Sequence, residues 1–232
     1  MPGQDVQIPG VDGSFGGYLA RPAQGSGPGL IVLQEIFGVS PAMRAITDAF
    51  AEAGFIALCP DLFWRLEPGV SLDGDDPEAF ETALSFYKRF DVDLGLQDIK
   101  SAGDYLAALP ECTGRIGASG YCLGGYLAYL SACRLGFDAA VGYYAVGLEK
   151  VLDDAAGLRG HCMLHVAEQD GFVPPKIQHR IAEALSGLPG FVLHAYPDQD
   201  HAFARVGGHA YDAEAAALAN RRSLDFLHAH LS

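Results

Sequence analysis

Arg115-Ile116-Gly117-Ala118-Ser119-Gly120-Tyr121-Cys122-Leu123-Gly124-Gly125 is the most informative run in the chain. A strand pattern over Arg115–Ser119 passes with no linker into a helical pattern over Leu123–Leu135. Between them, Gly120-Tyr121-Cys122-Leu123-Gly124 has the G-x-S-x-G spacing of a nucleophile turn, with cysteine in place of serine. The spacing has a steric cause. A sharp strand-to-helix turn strains the central residue, and side chains two positions either side would collide, so glycine stands at both. Cys122 then lies at a helix N-terminus, where free amides and the helix dipole favour a thiolate. The Leu123 N–H points where an oxyanion would form. From the pentapeptide alone, a buried cysteine in a glycine-rich turn stands level with this reading. A nucleotide loop fits worse, since Gly117-Ala118-Ser119-Gly120 lacks the G-x-G-x-x-G spacing and no P-loop lysine follows.

Upstream, Val6–Pro9 and Phe15–Ala20 read as a hairpin, and Gly29–Gln34 and Phe55–Cys59 as short buried strands. Pro41–Ala53, Glu78–Arg89 and Leu94–Leu109 read as helices, with Pro77 at a helix start after Asp76 and a loop over Leu62–Asp76. Downstream, Ala139–Tyr144, Cys162–Ala167 and Phe191–Ala195 read as strands, and Lys176–Leu185 and Asp212–His230 as helices. This alternation predicts an α/β chain with a mainly parallel sheet covered by helices on both faces. The residues that act in such sheets sit in loops at the strand C-termini.

Two of those loops carry what a cysteine nucleophile needs. Asp170 follows one strand in Ala167-Glu168-Gln169-Asp170-Gly171, and His201 follows the next in Tyr196-Pro197-Asp198-Gln199-Asp200-His201. Nucleophile, acid and histidine thus come in the order expected of a strand-turn-helix nucleophile. The bland alternatives are a turn-forming Asp170, solvated Asp198 and Asp200, and a surface His201. Glu35 closes an apolar strand, where a carboxylate is costly unless paired. The Ile36 N–H after it is a candidate second oxyanion donor. Arg205, four residues past His201, is a candidate anchor for an anionic group. His161 and His165 have a metal-binding spacing only on a helix; on a strand entry they read as core. His228 and His230 suit the last turn of a helix with no function implied. No metal set is evident.

The 232 residues are 50% hydrophobic and 19% charged, ample for a core and unlike a disordered chain. With 15 basic against 29 acidic residues, the net charge is −14, which disfavours nucleic acid and asks for a local cation wherever an anionic substrate binds. No apolar run approaches the ~20 residues of a membrane span, and the N-terminus has no signal-peptide pattern. The five cysteines, Cys59, Cys112, Cys122, Cys133 and Cys162, are odd in number and form no Cys-x-x-Cys pair. A reducing, cytoplasmic setting is the expectation.

Taken together, Gln34-Glu35-Ile36-Phe37-Gly38-Val39, Cys59-Pro60-Asp61-Leu62, Gly120–Gly125, His201-Ala202-Phe203-Ala204-Arg205 and the end, Ala215–Leu227, resemble the dienelactone hydrolase (carboxymethylenebutenolidase) family. The resemblance implies a single α/β-hydrolase domain over residues 1–232 without a cap domain. It implies a Cys122–Asp170–His201 triad, an oxyanion hole from Ile36 and Leu123, and a Glu35 that interacts with the resting thiol. It implies Arg205 as a carboxylate anchor. One position departs: Phe80 stands where members acting on dienelactone carry a second arginine. The expected activity is hydrolysis of small lactones or activated enol and aryl esters by a monomer, with no cofactor, nucleic acid or membrane. The rival readings are a thiol redox sensor, which lacks a resolving cysteine because Cys112 and Cys133 read as helix or loop positions elsewhere, and a non-catalytic binding protein on the same scaffold.

Overall fold

Continuous apolar runs become strands here because both of their faces are covered. All seven positions of β3 (Gly27–Leu33) and all five of β4 (Ile56–Pro60) are buried, and the two pair in parallel with Ile31 opposite Leu58. The computed structural model describes residues 2–232, which cluster into two units, one running to Gly117 and the other spanning Ala118–Leu231. In the first unit β1 (Gln4–Pro9) and β2 (Ser14–Ala20) form the expected antiparallel hairpin, and β2 adds antiparallel to β4. The strand order there is β1-β2-β4-β3-β5, with β5 (Cys112–Tyr121) crossing the boundary between the units.

The helices of this unit start at capping residues and N1 prolines. Ser40 accepts from the Met43 N–H and Pro41 opens α1 (Pro41–Glu52), which packs on β4. Asp76 caps α2 (Pro77–Arg89), and Asp91 caps α3 (Val92–Ala107), accepting from the Asp93 and Leu94 N–H groups at 3.0 Å each. Such a cap contributes about 0.5–2 kcal/mol. Asp61 organises the long loop ahead of α2: it accepts from Phe63 N–H at 3.0 Å and Gly69 N–H at 2.7 Å. The Gln34 side chain holds Leu62 N–H at 3.0 Å. Thus the Cys59-Pro60-Asp61-Leu62 run is a backbone clamp.

In the second unit the order is β5-β6-β7-β8, with β6 (Ala139–Tyr143), β7 (His161–Ala167) and β8 (Phe191–Tyr196) pairing in parallel. α4 (Leu123–Leu130) packs on β6, α5 (Pro175–Leu185) on β8, and α6 (Ala213–Leu231) on β6 and β7. The α/β-hydrolase expectation holds, and no cap domain interrupts the alternation among the described residues. No helix among them is long and apolar enough to cross a membrane.

Three expectations are corrected. The helix expected to run to Leu135 leaves α geometry at Ser131 and finishes as a π turn, Ser131–Leu135. There the Ser131 hydroxyl donates to Leu127 O at 2.7 Å and Gly136 takes φ 72°, ending the helix. Apolar periodicity does not register a wider turn. Cys112 opens strand β5 instead of lying in a helix or loop, its N–H donating to Leu109 O at 3.0 Å. His161 is exposed at the start of β7, its ring stacked 3.6 Å from that of His230; only His165 of that pair is core.

Candidate active site

The turn after β5 has the predicted strain. Cys122 adopts φ 55°, ψ −113° as the N-cap of α4, a conformation that costs an L-residue of order 1–3 kcal/mol. A Cβ on Gly120 would lie 2.0 Å from the Gly124 carbonyl oxygen, so the first glycine is obligatory. The Cys122 N–H donates to Tyr143 O at 3.0 Å, anchoring the turn to the end of β6. Leu123, buried, is the first residue of α4, and first-turn amides have no acceptor within their own helix.

Asp170 and His201 meet as their order suggested. Asp170 is 3% exposed in the turn after β7. Its Oδ1 accepts from the Phe172 N–H at 2.8 Å and its Oδ2 accepts from His201 Nδ1 at 2.7 Å. His201 also hydrogen-bonds the Cys122 side chain. Burial pushes the His201 imidazole down, but the Cys122 charge and the hydrogen bonds to Asp170 and Cys122 outweigh it and carry the value up to about 10. Asp198 and Asp200 are exposed in the histidine's own loop, and Asp200 caps the His201 N–H at 2.6 Å. The structure therefore brings Cys122, Asp170 and His201 together through three strand ends.

Two residues with no sequence signal complete the surroundings. The Tyr144 ring, just past β6, stands edge-on to His201 at 5.1 Å, and the Phe172 ring does so at 4.9 Å while 57% exposed. Among the described residues, the non-glycine positions with positive φ are Cys122, Tyr144 and Ala202. All three lie at this site, where such strain usually collects. Arg205 is half-buried in a tight turn after His201, its N–H donating to Ala202 O at 2.9 Å.

The remaining candidates lie in the first unit. Glu35 is 4% exposed and Ile36 7%, in the segment that follows β3. The backbone of this segment is held by Val39 N–H to Val70 O at 3.0 Å and Leu72 N–H to Phe37 O at 2.9 Å. Gly38 takes φ 75° there, and a Cβ on it would meet Val70 O at 2.0 Å. Phe80 lies on α2 with its ring 6.4 Å from that of Phe37. Phe80 is thus an apolar neighbour of the Glu35 segment.

The dienelactone hydrolase family profile matches residues 15–231. Carboxymethylenebutenolidase from Pseudomonas putida is 40% identical over 225 residues, covering 97% of this chain and 95% of that protein. Carboxymethylenebutenolidase 1 from Cupriavidus pinatubonensis is 38% identical over 215 residues, covering 93% and 92%. A crystal structure from Klebsiella pneumoniae subsp. pneumoniae, assigned as a dienelactone hydrolase, superposes with a TM-score of 0.83 at 26% identity, covering 97% of this chain and 98% of that one. On a match that takes in residues 15–231 of 232, the chain belongs to the dienelactone hydrolase family.

Proposed function

We propose that the protein hydrolyses small lactones and activated enol or aryl esters through a thioester on Cys122. The observation that carries this reading is the strained Cys122 beside a histidine raised to about 10 by the thiolate charge and the Asp170 bond. A thiolate–imidazolium pair is the reactive form of a cysteine nucleophile.

In the first half-reaction the Cys122 sulfur attacks the carbonyl carbon and a C–S bond forms. Negative charge moves to the carbonyl oxygen, where the Leu123 and Ile36 N–H groups are the assigned donors. The C–O bond to the enol or phenol oxygen then breaks as the C=O bond re-forms, and the His201 imidazolium gives that oxygen its proton, leaving His201 neutral. In the second, neutral His201 takes a proton from water, the hydroxyl oxygen attacks the thioester carbonyl, and the C–S bond breaks to return the thiolate. Asp170 holds the tautomer that keeps His201 Nε2 toward the reaction. Glu35 is assigned to coupling substrate binding to thiolate formation, and Arg205 to a substrate carboxylate.

Leaving-group chemistry sets the substrate class. A thiolate with a parent pKa of ~8.5 leaves a tetrahedral intermediate more readily than an alkoxide. Alkyl esters and amides revert, while enolates and phenolates compete. Phe80 in place of a cation favours substrates less anionic than dienelactone. The test is a panel of enol-lactones, p-nitrophenyl acetate, ethyl acetate and a peptide, run with wild type and Cys122→Ala. Turnover of the first two only, lost in Cys122→Ala, is expected. Peptide cleavage at a matching rate, or full activity in Cys122→Ala, overturns the reading.

A further inference from the structure

His165, on β7, is 1% exposed and takes no part in the acyl transfer proposed above. Its imidazole is held at both nitrogens: Nδ1 lies 2.8 Å from Tyr196 Oη, and Nε2 lies 2.9 Å from Ser223 Oγ. The chain of bonds continues on both sides. Ser223 Oγ is 2.6 Å from Tyr143 Oη, Tyr143 Oη donates to Asn220 Oδ1 at 3.0 Å, and Arg222 Nη1 donates to Tyr196 Oη at 3.2 Å.

Counting protons fixes the tautomer. The one hydroxyl proton of Tyr143 goes to Asn220. That of Ser223 goes to Ala219 O, 2.9 Å away, or to Tyr143 Oη. Ser223 Oγ is then an acceptor toward His165, so Nε2 carries the proton and Nδ1 accepts from the Tyr196 hydroxyl. An imidazolium would need Tyr196 Oη to accept from both His165 and Arg222, and would leave the Tyr196 proton without its acceptor. Burial, the neighbouring His194 and Arg222 push His165 down to about 3 in the same direction. With either destination for the Ser223 proton, these bonds call for a neutral His165.

The residues joined by these side chains also hold the site through their backbones. The Tyr143 carbonyl at the end of β6 accepts the Cys122 N–H at 3.0 Å. The His165 carbonyl accepts the Tyr144 N–H at 2.8 Å. The Tyr196 carbonyl at the end of β8 accepts from Glu168 at 3.0 Å and Gln199 at 3.2 Å, in the segments leading to Asp170 and His201. A line of rings runs the same way: Tyr196 to Phe203 at 4.8 Å, Phe203 to Tyr144 at 5.7 Å, and Tyr144 to His201 at 5.1 Å.

We infer that the His165–Tyr196–Ser223–Tyr143 network is a positioning device for the acyl-transfer site. From α6 it fixes the ends of β6, β7 and β8 against one another, and so sets how His201 meets Cys122 and Asp170. The inference rests on the hydrolase reading above. Its residues act through the triad and touch no substrate.

Tyr196→Phe removes one hydroxyl and keeps the ring against Phe203; Ser223→Ala cuts the network independently from α6. With p-nitrophenyl acetate, each variant is expected to lose at least ~10-fold in kcat with KM within about two-fold, since sub-ångström misplacement of reacting groups costs rate more than binding. The rate of Cys122 alkylation by iodoacetamide should fall in parallel. A lower Tm in either folded variant with kcat and alkylation rate as in wild type would overturn the inference and leave the network a purely structural one. If wild type alkylates rapidly but turns over no ester, the hydrolase reading fails. A fall in alkylation rate in the two variants would then still uphold the positioning role, and its absence would sink it.

Discussion

Two histidines in the second unit sit in contrasting surroundings and differ in charge: His201 is held as the cation and His165 as the neutral imidazole. The His201 side chain is 15% exposed, with a carboxylate at 2.7 Å and a thiol as partners. His165 is 1% exposed, with two hydroxyls as partners. Burial pushes both imidazoles down from the ordinary value of 6.5. In His201 the neighbouring negative charges reverse that push and carry it to about 10; in His165 nothing opposes it and the value falls to about 3. The lesson is that burial sets the cost of a charge, while the chemistry of the partners decides whether the charge is present. In the proposed reaction the first imidazole moves protons, and in the proposed positioning network the second is a fixed strut.

The comparison breaks most sharply at Asp170. Asp170→Asn keeps the shape but removes the anion that holds the His201 tautomer, and kcat should fall by ~10³–10⁴-fold, the scale seen when an orienting carboxylate is made an amide. Asp198→Asn and Asp200→Asn should cost far less, because neither side chain reaches the ring in the way Asp170 does. A large loss at Asp198 with none at Asp170 would put the wrong acid in the triad.

The next effect sharpens the cause. If the Cys122 thiolate helps hold the proton on His201, Cys122→Ala should bring the His201 titration, followed by NMR, down from about 10, with His165 unmoved near 3. An unchanged His201 titration would assign the raised value to Asp170 alone.

The last effect is on stability, and the two residues give it opposite signs. His165 has a folded value below its unfolded one, so the unfolded chain binds the extra proton. Its contribution is complete above pH 6.5 and is lost as pH falls from there toward about 3. His201 has a raised value, so its contribution is complete below pH 6.5 and is lost as pH rises through about 10. Each limb has a limiting slope of about 1.4 kcal/mol per pH unit. Urea unfolding across pH should show the acid limb flattened in His165→Leu and the alkaline limb flattened in His201→Ala. The reverse assignment would invert the account.

Much of this was legible in the sequence because its causes are local. Gly120 and Gly124 encode the turn, and Asp76 with Pro77 encodes a helix start, whereas the cap at Asp91 went unread and that helix starts two residues before Leu94. The apolar runs at β3 and β4 encode strands buried on both faces. The order Cys122, Asp170, His201 encodes three strand ends, those of β5, β7 and β8, although only the fold brings them within bonding distance. What stayed hidden depends on partners distant in sequence. His165 reads as an ordinary core residue until Ser223, 58 positions away, is seen at its ring nitrogen. Tyr144 and Phe172 carry no motif, and their place beside His201 follows from strand order alone. The π turn at Ser131–Leu135 preserves an apolar pattern that a regular helix would also satisfy.

The proposed reaction stands or falls on whether Cys122, the partner of His201, is the residue that becomes acylated. Rapid quenching of wild type with p-nitrophenyl acetate, followed by mass spectrometry of the digested protein, tests it most directly. The account predicts one acetyl group on the peptide containing Cys122, formed within the first turnover and slower to decay in Asp170→Asn. An acetyl group on another residue, or steady turnover with Cys122 never acylated, would contradict it.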